Sequence, residues 1–240
     1  MMTMTSVKKS KAINVLAWII VLAIGVMFSR QDATAGQAPV PPGSAAKFAV
    51  LAGTTVTSSG ATTVNGHVGV SPGTSVTGSL RVIGMIHGGG RIAAGAQSDL
   101  TAAYKDAAGR TVDAITVAGN LGGLTLTPGL YKSTSSLEIS SGDLTLDAKG
   151  DTNAVFIFQM ASTLTTTIGR QVILIGGAKA ANIYWQVGSS ATVGTISVFK
   201  GNILALTSIT LQNGATVEGR LLARTAAITL DTNTITLPAP

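Results

Sequence analysis

The sequence between residues 186 and 236 repeats one short pattern three times. Each copy combines small residues with a threonine between two apolar residues, and these threonines, Thr192, Thr210 and Thr229, are almost evenly spaced. The copies are Ser189-Ser190-Ala191-Thr192-Val193, Thr207-Ser208-Ile209-Thr210-Leu211 and Ala226-Ala227-Ile228-Thr229-Leu230. So short a repeat, rich in β-formers, is typical of successive coils of a β-solenoid. One coil is too thin to bury its own apolar side chains, so the coils must stack to form a core.

The same order of segments occurs near both ends of the chain. An apolar segment precedes a Thr/Ser segment, which precedes a third segment ending in glycine. The N-terminal series is Phe48-Ala49-Val50-Leu51, Thr54-Thr55-Val56-Thr57 and Ala61-Thr62-Thr63-Val64-Asn65-Gly66, and the C-terminal series is Ile203-Leu204-Ala205-Leu206, Thr207-Ser208-Ile209-Thr210 and Ala215-Thr216-Val217-Glu218-Gly219. Three short strands per coil predict a mostly β fold with a triangular cross-section, in which the first and last coils share one architecture.

One segment, residues 91–108, departs from this pattern and is predicted to form an α-helix. Its larger apolar side chains, Ile92, Leu100 and Tyr104, recur at helical spacing, and Gly109 suits the position after a helix. Alanines widen the same stripe: Ala93, Ala96, Ala103 and Ala107. At ~1.5 Å per residue against ~4.8 Å per strand, this helix is long enough to lie across several coils.

The three faces of the predicted triangle differ in polarity. On one face the segments are continuously apolar, which indicates burial on both sides, with the core beneath and the helix above. These segments are Val155-Phe156-Ile157-Phe158, Ile183-Tyr184-Trp185, Ile203-Leu204-Ala205-Leu206 and Leu221-Leu222-Ala223. The other two faces alternate between apolar and polar residues, as half-exposed strands do. One contains Thr163-Leu164-Thr165, Ser190-Ala191-Thr192, Ser208-Ile209-Thr210 and Ala227-Ile228-Thr229, and the other contains Val172-Ile173-Leu174, Ser197-Val198-Phe199, Thr216-Val217-Glu218 and Thr234-Ile235-Thr236.

The N-terminus has the features of a secretory signal peptide. Three lysines precede an apolar run over residues 12–28, and Ala33-Thr34-Ala35 provides a small-residue cleavage site. We therefore expect residues 1–35 to be removed, residues 36–44 to form a linker, and residues 45–240 to form the folded domain of an extracellular protein. An uncleaved membrane anchor is the alternative, since the apolar run over residues 12–28 is at the short limit for spanning a bilayer.

Charge and composition exclude several classes of function. The leader carries four of the 16 basic residues and one of the 10 acidic residues, so cleavage lowers the net charge from +6 to +3. The remaining chain has no basic stripe with interleaved aromatic residues, and nucleic acid is therefore not expected as a partner. The chain has no cysteine, which excludes thiolate metal sites and redox chemistry based on thiols.

The sequence offers few residues for catalysis or metal binding. The two histidines, His67 and His87, have no ligand at metal-site spacing, and Asp143, Asp147 and Asp151 lack the nonapeptide repeat of calcium solenoids. The nucleophile motif Gly-x-Ser-x-Gly is also missing. We expect no enzymatic activity and no cofactor. The alternative is a carboxylate pair that converges only in three dimensions, as in some β-helix enzymes.

The face with the Thr/Ser segments is the candidate functional surface. Its four repeats place no Lys, Arg or Glu at an outward position. Threonine suits any solvent-facing strand, but an ordinary exposed face also includes long charged side chains, as the face with Lys200 and Glu218 does. Stacking sets equivalent threonines ~4.8 Å apart between coils and ~6.7 Å apart at i and i+2 along a strand. Because β-branched side chains have restricted χ1 angles, the predicted surface is a stiff grid, suited to a crystal surface or a repeating polymer.

Several longer segments resemble the secreted microbial ice-binding proteins that have a discontinuous right-handed β-helix. The resemblance extends from about residue 48 to residue 236. It rests on Phe48-Ala49-Val50-Leu51-Ala52-Gly53, Val64-Asn65-Gly66-His67-Val68-Gly69-Val70-Ser71-Pro72-Gly73, Leu100-Thr101-Ala102-Ala103-Tyr104, Leu121-Gly122-Gly123-Leu124-Thr125-Leu126-Thr127-Pro128-Gly129-Leu130-Tyr131, Asn153-Ala154-Val155-Phe156-Ile157-Phe158-Gln159 and Trp185-Gln186-Val187-Gly188-Ser189-Ser190-Ala191. It implies a triangular β-helix with one long helix along a face, and intertwined N-terminal and C-terminal segments.

The resemblance also implies binding to an ice crystal surface through a flat face with a loose Thr-Ala/Gly-x-Thr/Asn motif. The matching segments begin at Thr54, Ser162, Ser189, Thr207 and Ala226, so only two begin with the threonine of the motif. The expected ice-binding residues are Thr54, Thr55, Thr57, Thr163, Thr165, Ser190, Thr192, Ser208, Thr210, Ala227 and Thr229. We expect a monomer without a cofactor that causes thermal hysteresis and inhibits ice recrystallisation. The segment of residues 80–90 is too short for the capping loop of some relatives.

Two other functions are compatible with the sequence alone. A secreted adhesin or polysaccharide-binding solenoid would use the same grid, but it would require aromatic residues on the exposed face. Tyr184 and Trp185 instead belong to a segment assigned to the helix-covered face. A β-helix polysaccharide lyase or hydrolase would require clustered carboxylates.

Overall fold

The computed structural model describes residues 36–239, so the predicted signal peptide lies outside the described residues. This range contains 21 β-strands, one α-helix (α1, Gly90–Gly109) and two 3-10 helices (Gly43–Lys47 and Ala180–Asn182). None of the helices in this range has the length and apolarity needed to cross a membrane. The strands are β1 (Phe48–Ala52), β2 (Thr55–Asn65), β3 (His67–Val70), β4 (Ser75–Ile83), β5 (Ile86–Gly88), β6 (Ala114–Thr116), β7 (Gly119–Asn120), β8 (Thr125–Leu126), β9 (Gly129–Ser133), β10 (Leu137–Ile139), β11 (Leu144–Asp147), β12 (Phe156–Met160), β13 (Leu164–Thr166), β14 (Val172–Ile175), β15 (Ile183–Val187), β16 (Ala191–Val193), β17 (Val198–Ala205), β18 (Ile209–Leu211), β19 (Thr216–Ala223), β20 (Ile228–Leu230) and β21 (Thr234–Thr236).

The strands form three stacks with parallel pairing, which are the faces of a β-helix. The helix-facing stack has the order β6, β9, β12, β15, β17, β19, β1, β3, β5. The second stack has the order β7, β10, β13, β16, β18, β20, β2, β4. The longer strands β2, β4, β17 and β19 each contribute to two stacks. The prediction of a mostly β fold with three strands per coil is confirmed.

The third stack is interrupted, although the sequence assigned Val172-Ile173-Leu174 to the same face as the later segments. Strands β8, β11 and β14 form a separate three-stranded sheet. An isolated bridge between Gln171 and Val198 connects it to the remaining strands β17, β19, β21, β2 and β4. Immediately after β14, Gly176 and Gly177 have positive φ angles of 63° and 89°, which turn the chain away from the stack.

The order of strands along the helix-facing stack differs from their order in the chain. Val50 of β1 pairs with Leu221 of β19 on one side and with Val68 of β3 on the other. The chain therefore enters in the middle of the stack, builds one end through β5, and resumes at the opposite end with β6 after α1. This arrangement confirms the predicted intertwining of the N-terminal and C-terminal segments.

Inward apolar side chains from the three stacks fill the interior. Tyr131, Phe158, Trp185 and Phe199 form a column of rings, with successive centroids 5.2, 4.0 and 5.2 Å apart. The central pair, Phe158 and Trp185, is stacked within 10° and fully buried. Such pairs stabilise a core beyond the area that they bury. The column therefore links successive coils through the middle of the β-helix.

Helix α1 lies against the outer side of the helix-facing stack, as predicted, and its buried stripe consists mainly of alanines. Leu100 is buried together with Ala93, Ala96, Ala103 and Ala107. The assignment of Ile92 to this stripe is wrong, since its side chain is 60% exposed. Eight residues at 3.6 per turn place Ile92 about 80° around the helix from Leu100. Gly109 is the last helical residue, and the extended Arg110 follows it, so the expected glycine cap does not form.

The segment of residues 36–44, expected to be an extended linker, contributes to the layer around α1. Val40 is 1% exposed and packs in the same apolar cluster as Leu100. Asp99 of α1 accepts hydrogen bonds from the backbone N–H of Ser44 at 2.7 Å and from its hydroxyl at 2.6 Å. The packed structure therefore begins before residue 45.

Candidate functional site

Outward side chains of the second stack form a column of threonines, which we call the central ladder. Its members occupy paired positions in six adjacent strands, in the order Thr165, Thr192, Thr210, Thr229, Thr57 and Thr77. The first five were predicted from the sequence. The structure brings them into one row, including Thr57 from the distant N-terminal segment.

A second column, the flanking ladder, lies two residues before the central position in these six strands and in β10. Its members are Ser136, Thr163, Ser190, Ser208, Ala227, Thr55 and Ser75. None is larger than threonine. We call the two ladders together the ladder face. Five residues of the flanking ladder were predicted: Thr55, Thr163, Ser190, Ser208 and Ala227.

The buried residue between the two ladders determines which side chains point outward. At this position β10, β13, β16, β18, β20 and β2 contain Leu137, Leu164, Ala191, Ile209, Ile228 and Val56, all at most 1% exposed. A shift of one residue would expose these side chains and bury the hydroxyl groups instead. The apolar core therefore fixes the register of the ladder face.

The two ladders differ in how their hydroxyl groups are used. In the flanking ladder, hydroxyls bond across strands, with Oγ–Oγ distances of 2.8 Å both for Ser136 and Thr163 and for Ser190 and Ser208. In the central ladder, the hydroxyls of Thr165, Thr192, Thr210 and Thr229 have no hydrogen-bond partner among residues 36–239, while Thr57 and Thr77 lie 3.3 Å apart. The central hydroxyls are therefore available to water or to a ligand, while the flanking hydroxyls stiffen the surface.

The ladder face changes in character at the end formed by β10 and β7. Glu138 occupies the central position next to Thr165, and Asn120 occupies the position after it. The Glu138 carboxylate is on the surface and accepts a hydrogen bond from the Ser140 hydroxyl at 2.9 Å. The prediction of a face without long charged side chains holds for the four repeats on which it was based. It fails in β10, where buried and exposed residues still alternate but the central position is a glutamate instead of a threonine.

Thr54 lies at a corner rather than within the ladder face. It precedes β2, and its backbone N–H donates to the carbonyl of Ala226 at 3.3 Å. Sequence reasoning missed Ser75 and Thr77 of β4. Their segment, Thr74-Ser75-Val76-Thr77, matches Thr54-Thr55-Val56-Thr57 at three of four positions, so the signal was present in the sequence.

In the part of the chain that the structure describes, the other two stacks carry no threonine row as long as the central ladder. The third stack has a row of three, Thr216, Thr234 and Thr63, which ends at Val198 and Arg81. In the third stack Lys200 and Glu218 form an ion pair with an N–O distance of 2.7 Å, consistent with the mixed charge expected there. In the helix-facing stack Tyr184 and Trp185 are 6% and 0% exposed. These aromatic side chains therefore do not form a stacking platform for sugars.

The histidines lie close together, although they belong to different strands, β3 and β5. The ring centroids of His67 and His87 are 5.4 Å apart, and both rings contact Phe48. Nδ1 of His67 accepts a hydrogen bond from the backbone N–H of Met85 at 2.9 Å. This pair supplies two nitrogen ligands at most, below the three protein ligands typical of zinc sites.

The three aspartates considered as calcium ligands from the sequence accept hydrogen bonds from the backbone. Asp143, Asp147 and Asp151 each accept a hydrogen bond from a backbone N–H group, at 3.0, 2.9 and 2.8 Å. In the described part of the chain, no group of three or more His, Cys, Asp or Glu residues could hold a metal ion.

Comparisons with known proteins show that the chain is similar in sequence to ice-binding proteins. A family model described as ice-binding-like matches residues 50–236. An ice-binding protein of Nostoc sp. (strain HG1) is 45% identical over 222 residues, which cover 91% of this chain and 81% of that protein. An ice-binding protein of Flavobacterium frigoris (strain PS1) is 39% identical over 212 residues, which cover 82% of this chain and 75% of that protein.

Solved structures show the same similarity. The crystal structure of an ice-binding protein from an Antarctic biological consortium superposes with a TM-score of 0.84 at 56% identity, covering 85% of this chain and 93% of that chain. The crystal structure of an ice-binding protein from the Antarctic ascomycete Antarctomyces psychrotrophicus gives a TM-score of 0.81 at 38% identity. The match covers 84% of this chain and 100% of that chain. On the match over residues 50–236 and these identities, the chain belongs to the ice-binding-like family.

Proposed function

We propose that the protein adsorbs to ice through the ladder face. The observation that carries this proposal is the central ladder, in which six threonines are in register and four hydroxyls have no partner among residues 36–239. At a strand spacing of ~4.8 Å, these groups form a periodic array of methyl and hydroxyl groups. A periodic array matches a periodic ligand better than it matches a single molecule.

Adsorption of this kind requires a rigid, regular surface and no catalytic residue. Threonine side chains on a strand have restricted χ1 angles, and the flanking hydroxyls bond to one another, so the surface loses little entropy when it docks. Water held by such a surface joins the ice lattice. The adsorbed protein then curves the growing ice front between neighbouring molecules, which lowers the local freezing temperature and slows recrystallisation.

An ice-affinity experiment tests the adsorption itself. Ice is grown slowly into a solution of the purified protein mixed with an unrelated protein of similar size. We expect the protein to become enriched in the ice fraction while the unrelated protein stays in the liquid. Equal exclusion of both proteins from the ice would contradict the proposal.

A separate part of the proposal concerns where the protein is located. Residues 1–35 act as a cleaved leader, and the rest of the chain works outside the cell as a monomer, where extracellular ice forms. Mass spectrometry of protein recovered from culture medium tests this, and we expect a mature N-terminus at Gly36. Recovery of the intact chain in the membrane fraction would instead support an anchor.

A further inference from the structure

A cavity of about 210 Å³ lies between α1, the segment around Val40 and the helix-facing stack, away from the ladder face. Its walls are apolar and include Leu100, Leu204 and Leu222. The volume is well above the ~10–15 Å³ that one water molecule needs, and below the ~300–1,000 Å³ typical of pockets for drug-sized ligands. The cavity is therefore large enough for a small organic molecule.

One charged side chain, Arg220, reaches this apolar cavity. Burial is the main cause that lowers the pKa of its guanidinium below the ordinary value. None of the four ion pairs among residues 36–239 involves Arg220. A half-buried cation without a carboxylate partner is unfavourable, because an opposite charge normally offsets the loss of hydration.

The guanidinium is held in a fixed orientation. Its Nε–H donates to the carbonyl of Ala46 at 3.0 Å, and Nη1 donates to Oδ1 of Asn202 at 2.8 Å. Asn202 is itself fixed, since its Nδ2 donates to the carbonyls of Ala181 and Ile183, both at 3.0 Å. Nη2 has no hydrogen-bond partner among residues 36–239, which leaves donors of the guanidinium for a ligand.

A neutral donor lies beside this cation. Tyr184 also lines the cavity, and burial is the main cause that raises the pKa of its phenol above the ordinary value. The phenol therefore remains protonated at neutral pH and can donate a hydrogen bond. A carboxylate accepts hydrogen bonds from both groups, and its pairing with a guanidinium is among the strongest in proteins.

From the cation, the neutral donor and the apolar walls, we infer that this cavity binds a small monocarboxylate with a short aliphatic chain. The carboxylate contacts Nη2 of Arg220, and the aliphatic chain contacts Leu100, Leu204 and Leu222. The ligand also bridges the N-terminal segment, α1 and the stack, so its binding stabilises their packing. A purely structural arginine, which only ties Ala46 to Asn202, is the competing interpretation.

Titrations that vary the charge of the ligand test the inference on the unmodified protein. Isothermal titration calorimetry and thermal unfolding are measured with hexanoate, with its neutral analogue hexanamide, and with chloride at equal ionic strength. We expect saturable binding and a rise in Tm with hexanoate, at least tenfold weaker binding with hexanamide, and no Tm rise with chloride. No saturable hexanoate binding, or equal affinity for the amide, would overturn the inference.

Two alanines of α1 provide a matched pair of variants that locates the site. Ala103 is 2% exposed and lines the cavity, whereas Ala102 is exposed on the outside of the helix. We expect Ala103→Leu to reduce hexanoate affinity at least tenfold, and Ala102→Leu to leave it unchanged. Unchanged affinity in a folded Ala103→Leu protein would place any binding elsewhere and overturn the assignment. Ice adsorption is measured separately, so failure of this inference leaves the ladder-face proposal intact.

Discussion

Thr57 lies beside Thr229 in the central ladder, although the two residues come from opposite ends of the folded chain. The pair joins the N-terminal coil to the C-terminal coils, because β2 stacks directly on β20. The ladder face is therefore continuous across the point where the chain order is discontinuous. A ligand that spans several coils contacts both segments.

This continuity predicts that Thr57 contributes to ice adsorption as the C-terminal threonines do. Thr57→Tyr places a large ring in the flat surface, so we expect a strong loss of thermal hysteresis. Asn65→Tyr is the control, since Asn65 is an exposed residue of the same strand in the third stack. Both substitutions are on the surface and should change the free energy of unfolding by no more than about 0.5 kcal/mol. Full activity in Thr57→Tyr would show that the N-terminal coil does not contact ice.

Glu138 ends the run of threonines and provides a gain-of-function experiment. Glu138→Thr extends the central ladder to seven threonines and removes a charged side chain from the face. We expect larger thermal hysteresis at equal protein concentration. Glu218→Thr makes the same chemical change in the third stack, and we expect it to leave thermal hysteresis unchanged. If both variants gain equally, net charge rather than ladder length is responsible.

The aromatic column predicts where stability is concentrated. Trp185→Ala removes a fully buried ring that stacks on Phe158 at 4.0 Å, so we expect a loss of about 3–5 kcal/mol in the free energy of unfolding. Ile168, which is 65% exposed, provides the control. Ile168→Ala should cost no more than about 0.5 kcal/mol in chemical denaturation. A loss of similar size in both variants would contradict the assignment of the core.

Asp99 predicts a dependence of stability on pH. Hydrogen bonds from Ser44 lower the pKa of this carboxyl below its ordinary value of 3.8. A lowered pKa in the folded state means that the unfolded chain binds the proton more readily. The stabilisation is therefore present above pH 3.8 and is lost as the pH falls through the folded-state pKa.

The effect is small, because the Asp99 carboxylate is close to solvent. Asp99→Asn removes this titration, so we expect its stability to fall less steeply than that of the wild type in acid. Thermal unfolding of both proteins at several pH values measures the difference. Parallel curves would show that the contact between Asp99 and Ser44 contributes nothing to the packing of the N-terminal segment.

Much of the fold could be predicted because the repeat and its apolar positions are local signals. Thr192, Thr210 and Thr229 lie in consecutive coils, so their spacing alone indicates stacking. Thr57 could be added because its segment has the same order of apolar and polar residues as the C-terminal segments. The helix was predictable from its stripe, and the alanines of that stripe are buried as expected, whereas Ile92 has helical spacing but lies outside the contact.

The remaining features depend on pairing that a single sequence does not display. The position of Glu138 in the central ladder follows from the register between β10 and β13. Thr77 is an exception, because its segment repeats Thr54-Thr55-Val56-Thr57 20 residues later and could have been found from the sequence. The break in the third stack depends on the turn after β14, and the cavity beside Arg220 depends on how separate segments pack around α1. The sequence contains no periodic signal for either.

We expect the ladder face, and no other surface, to contact ice. Thr210 lies in the middle of the ladder, and Thr234 is an exposed threonine of β21 in the third stack, so Thr210→Tyr and Thr234→Tyr form a matched pair. Thermal hysteresis of both variants should be measured at equal concentration, with circular dichroism as the check on folding. We predict that Thr210→Tyr loses most of its thermal hysteresis and Thr234→Tyr retains that of the wild type. Retained activity in a folded Thr210→Tyr protein, or an equal loss in Thr234→Tyr, would contradict the claim.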